Sequence, residues 1–165
     1  MNQTWESIAD ALRNEISECG RLLQLFDEQQ RCIIRGEAGH VLDLSHSIQE
    51  QTGALDISRR QREEAVSAFA LANGQAAGAT LRSLLPFCSA AARPLLEELI
   101  ANVNLLIYRV RRGSEQSHRL LGHMVEAHQE LMRRLRPDAF TKTYAPDGRV
   151  SVAALRPSPS IKTAG

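Results

Sequence analysis

One apolar seam governs what this chain can become. Leu96, Leu99, Val103, Leu106, Val110, Gly113, Ser117, Leu120, Met124, His128, Leu131 and Leu135 recur at alternating intervals of three and four residues. That spacing writes one face of a single continuous helix. Pro94 suits a first helical turn, Glu97 and Glu98 complement its positive end, and Pro137 with Asp138 stops it. At 1.5 Å per residue, some 40 residues reach roughly 60 Å. A helix that long outruns a compact domain of 165 residues. The chain must therefore be all-α, an elongated antiparallel helical hairpin or three-helix coiled-coil bundle.

Two more helices complete that expectation. Trp5, Ala9, Leu12, Ile16, Cys19, Leu23, Phe26, Gln30 and Ile33 form a heptad seam over about residues 4–35, with Thr4 as N-cap and the glycines of "RGEAGH" as terminator. A second helix is predicted over about 41–73. Its stripe of Val41, Leu44, Ile48, Leu55, Val66 and Phe69 is interrupted by Thr52, Arg59 and Arg62. So polar a middle belongs at a bundle edge or in open solvent. "NGQAAGATLRSLLPF" reads as a break followed by a short helix near 76–85. The long helix then occupies about 94–136.

Past Pro137 the helical period ends. Phe140, Tyr144, Val150, Val152 and Leu155 lie among Pro, Gly, Ser and Thr, with one short alternating, strand-like run. Residues 1–137 thus form a helical body, and 138–165 a flexible C-terminal tail, disordered alone and carrying a few apolar anchors for a partner.

Composition narrows the function classes. Ala, Leu, Glu, Gln and Arg dominate, aromatics are 4%, and the net charge is +1, so no nucleic-acid footprint covers the chain. Residues 1–74 hold 12 acids and 7 bases, while 75–165 hold 7 and 13. The asymmetry favours antiparallel packing of the halves, or an acidic partner for the second. Cys19, Cys32 and Cys88 are odd in number and form no Cys-x-x-Cys, which suggests a reducing compartment. The opening "MNQTWESIADALRNE" is acidic and has no apolar core, so it does not read as a signal peptide. No apolar run approaches the length of a membrane span. The expected location is the cytoplasm.

The search for chemistry returns little. His118, His123 and His128 are five residues apart, and five residues turn a helix by about 500°, so they cannot converge on one metal. Glu115 and His118 have the Glu-x-x-His spacing of di-iron bundles but lack a second pair. There is no phosphate loop, nucleophile elbow or His-Glu-x-x-His. The basic clusters "YRVRRG" and "RRLRP" have no aromatic base-readers beside them and read as arginines lying over a helix surface. No catalytic residue, metal or cofactor is predicted.

The chain resembles the flagellar export chaperones of the FlgN type. The resemblance rests on the heptad-patterned first helix, the polar second helix, "NVNLLIYRVRRG" in the third, and "TYAPDGRVSV" just after it. It implies a carrier without enzyme activity that holds hook–filament junction proteins by their amphipathic C-terminal segments and delivers them to the export gate. It also implies that Tyr144, in a turn shaped by Asp147 and Gly148, docks at that gate. A client helix needs an apolar groove, and Leu105, Leu106, Val110, Leu120, Leu121 and Met124 flank the thin Gly113–Ser117 stretch. These residues either line such a groove or only hold the chaperone's own helices together, and the pattern leaves both open. The other reading is a structural coiled-coil scaffold, self-associating where the chaperone is a monomer or loose dimer. A chaperone for a different flagellar or secretion substrate is a variant of the first.

Overall fold

A computed structural model describes residues 5–136 and the backbone of two later strands, Phe140–Tyr144 and Val150–Ala154. The helices are α1 (Trp5–Arg35), α2 (Ala38–Ala72), α3 (Leu81–Leu84, extended by a 3-10 turn at Leu85–Phe87) and α4 (Arg93–Leu135). The fold is all-α in its body. The chain divides into two compact units, Met1–Leu120 and Leu121–Gly165.

Glycine ends both early helices in the same way. Gly36 has φ +73° and Gly74 has φ +69°, a left-handed conformation that costs a residue with a Cβ about 1–2 kcal/mol. At the first, Gly36 N–H donates to the Ile33 carbonyl and Glu37 N–H reaches back to Cys32 (3.0 Å). At the second, Gly74 donates to Leu71 and Gln75 to Ala70 (2.9 Å). Both are Schellman turns, so the last carbonyls of each helix find donors. Only Gly36 and Glu37 separate α1 from α2, which forces the two to fold back on each other.

The break after Gly74 is longer than a turn, and its short helix begins only at Leu81, where the Thr80 hydroxyl accepts from Ser83 N–H. Ser89 closes the turn that leads into α4, its side chain accepting from Ala92 N–H. Arg93 then reaches back to the Pro86 and Cys88 carbonyls and ties the 3-10 turn to the new helix.

Within the first unit the helices run up, down and up. Asn14 meets Ser58 and Gln29 meets Ser45, so α2 is antiparallel to α1. Phe26 lies against Gly113 and Gln30 against Ser117, so α4 is parallel to α1. The apolar core lies toward the start of α1. It joins Ile8, Ala9 and Leu12 to Val66, Phe69 and Ala70 of α2, Leu84, Leu85 and Cys88 around the short helix, and Leu96 and Val103 of α4. Each large aliphatic side chain buried there contributes about 1.5–3 kcal/mol.

The buried line on α1 is Ile8, Leu12, Glu15, Cys19, Leu22, Phe26 and Gln29. Of the seam expected from spacing, Leu12, Cys19 and Phe26 lie on it. Ile16, Leu23 and Gln30 sit one position round and are only half-buried. Two partners explain this: α2 covers one side of α1 and α4 another. Among the described residues, no helix is long and apolar enough to cross a membrane.

Beyond the helices, Phe140–Tyr144 pairs antiparallel with Val150–Ala154, Phe140 opposite Ala154 and Tyr144 opposite Val150. The alternating run is thus a strand, with a partner that the sequence analysis does not name.

Candidate functional site

The α1–α2 seam is joined by polar pairs as well as by apolar packing. Arg62 donates to both oxygens of Glu15, Gln51 to the backbone and side chain of Glu18, Asn14 to Ser58 at 3.0 Å, and Gln29 to Ser45 at 2.9 Å. Glu15, Gln29 and Ser58 are almost fully buried. A buried polar group without a partner costs about 1–3 kcal/mol, and more if charged, so this seam holds only in register. The polar middle of α2, expected at an edge or in solvent, is half of that ladder. Thr52 and Arg59 do face solvent, whereas Ser58 and Arg62 turn toward α1.

On α4, the small residues turn out to be filled. A Cβ on Gly113 would lie 3.1 Å from the Phe26 ring. Ser117, 2% exposed, accepts from the Gln30 amide at 3.3 Å. The thin stretch is where α1 approaches, and its own side chains occupy the space.

The six apolar residues around it separate by angle. Leu106, Val110 and Leu120 are half-buried on the flank of that contact. Leu105, one position from Leu106, is turned about 100° away and is 49% exposed. Three residues on, Tyr108 shares its side and is 58% exposed. Sequence reasoning passed over Tyr108, although a tyrosine three residues from a leucine on a polar helix face was its visible signal. In the second unit, Leu121 and Met124 are half-buried, and Val125, Leu131 and Leu135 are exposed. None of the described residues after Leu121 is fully buried.

Tyr144 closes the first strand, while Asp147 and Gly148 lie outside the described residues. His118 holds its own helix, Nδ1 lying 2.9 Å from the Ser114 carbonyl, and His123 and His128 are exposed. Arg109, Arg111 and Arg112 are exposed as well.

All three cysteines are buried free thiols. Burial, reinforced by the Glu15 and Glu18 carboxylates, pushes the Cys19 thiol up to about 11. Burial also raises Cys88. Neither is an activated nucleophile.

The FlgN protein family matches residues 1–151 of the chain. The chain belongs to the FlgN family. This is a family of flagellar export chaperones, not of enzymes. No curated protein and no solved structure matches the chain.

Proposed function

We propose that this FlgN-family protein binds the amphipathic C-terminal segments of hook–filament junction proteins in the bacterial cytoplasm and brings them to the flagellar export gate. The family match over residues 1–151 carries this reading. The α4 surface supports it, because large apolar side chains stand in solvent on a helix whose opposite face is already in the core. Leu105 and Tyr108 offer one such patch in the first unit, beside half-buried Leu106, Val110 and Leu120. In the second unit, Leu121 and Met124 adjoin exposed Val125 and Leu131. An amphipathic helix laid along either would bury leucine-type side chains at i, i+3 and i+4 spacing. Tyr144 is the residue proposed to touch the gate, together with Asp147 and Gly148.

The test is titration of the purified chain with the C-terminal segment of a junction protein. A one-to-one complex at micromolar concentration is expected, weakened by Leu105→Ala with Tyr108→Ala or by Leu121→Ala with Met124→Ala. Absence of any complex at that concentration overturns the reading. Sedimentation separates the scaffold alternative: a chaperone stays monomeric or loosely dimeric, whereas a scaffold assembles to high order without a client.

A further inference from the structure

The turn between α1 and α2 gathers three side chains that client binding does not use. Cys32, Glu37 and His40 bring a sulfur, a carboxylate oxygen and a ring nitrogen within 4.8 Å of one another. The Schellman turn sets their positions. Glu37 N–H bonds the Cys32 carbonyl at 3.0 Å, Gly36 takes the left-handed conformation between them, and Val41 N–H returns to the Glu37 carbonyl. The backbone is therefore stapled on both sides of the cluster before any ligand arrives. His40 Nδ1 lies 3.3 Å from Glu37 Oε2.

The surroundings suit a cation. Cys32 is 3% exposed, Glu37 half-buried and His40 exposed, so the cluster is closed on the protein side and open on the other. The same surface hollow is lined by Asp43, by Arg35 and by Glu28, whose carboxylate pairs with Arg31 at 3.2 Å.

We propose that Cys32, Glu37 and His40 form a site for a divalent transition metal, best suited to Zn2+. Thiolate and imidazole ligands select zinc-like ions, whereas Mg2+ and Ca2+ require shells of oxygen. Three protein ligands leave a fourth tetrahedral position for water. Binding forms bonds from the metal to sulfur, nitrogen and oxygen. The Cys32 thiol proton leaves to solvent, and nothing is oxidised or reduced. Zinc bonds of about 2.0–2.3 Å require the three atoms to close in slightly, and the exposed His40 side chain is free to swing. The occupied site ties the last turn of α1 to the first of α2.

The experiment uses the full chain without an affinity tag. Co2+ is titrated first as a spectroscopic probe, then Zn2+. Expected are one ion per chain, a thiolate-to-cobalt charge-transfer band bleached by Zn2+, and a higher melting temperature with metal than without. Cys32→Ser abolishes the band, and Cys19→Ser keeps it. His40→Ala, at an exposed position that leaves helicity intact, weakens Zn2+ binding by roughly 10–100-fold. A band that survives Cys32→Ser, Zn2+ affinity unchanged in His40→Ala, or no stoichiometric binding overturns the proposal. None of these results bears on client binding, which the peptide titration tests separately.

Discussion

Arg62 of α2 donates its guanidinium to both carboxylate oxygens of Glu15 on α1, and the acid it pairs with is 1% exposed. The two are 47 residues apart in sequence, so the pair exists only once α2 has folded back along α1. Its function is register: a slip of either helix by one turn would leave a carboxylate stranded in the seam.

Removing one partner should therefore cost much more than removing both. Arg62→Ala is expected to lose about 3 kcal/mol by urea unfolding, because it leaves a buried charge unpaired. The double variant Glu15→Leu, Arg62→Leu should recover most of that loss. Equal losses for the single and double variants would show that the pair sets no register.

The Gly113–Phe26 contact sets two effects against each other. A methyl at Gly113 improves helix propensity by about 1 kcal/mol, but it meets the ring at 3.1 Å, tighter than an ordinary contact. Gly113→Ala should thus fall within about 1 kcal/mol of the parent in thermal unfolding, while Gly113→Leu should lose about 1–3 kcal/mol. Combined with Phe26→Leu, Gly113→Ala should become stabilising. A tolerated Gly113→Leu would mean that α1 and α4 can separate here.

Cys19 gives a pH dependence. Its thiol ionises near 9.0 when exposed and at about 11 in the fold, so above pH 9 the unfolded chain binds fewer protons than the native one. Stability then falls as pH rises, fully present below pH 9.0 and lost progressively toward 11. The slope from this group approaches about 1.4 kcal/mol per pH unit in that window. Urea unfolding of Cys19→Ala between pH 8 and 11 should show a shallower decline than the parent. Identical slopes would exclude Cys19 as the source.

Tyr144 tests the proposed gate contact. Tyr144→Ala should leave helical content and client affinity close to the parent, and lower capture of the chaperone by export-gate components. A large drop in melting temperature instead would place the side chain in the body of the fold.

Much of this protein was legible from periodicity. Three long helices follow from apolar residues at intervals of three and four, and the α1–α2 turn from Gly36, where a left-handed backbone favours glycine. These are local constraints, carried by residues within one or two turns of each other. What a seam touches is different. Ile16 and Leu23 obey the heptad but are less buried than Glu15 and Gln29, since two helices approach α1 from different sides and the polar residues there find partners on α2. Gly113 and Ser117 read as a gap, yet Phe26 and Gln30, 87 residues earlier, fill it. The candidate metal ligands are not legible in the sequence, because Cys32, Glu37 and His40 share no regular helical spacing and converge only through the Schellman turn. Local sequence thus determined which segments are helical and where they end. The tertiary structure alone decided which face of each is buried, because burial depends on a partner that spacing along one helix cannot name.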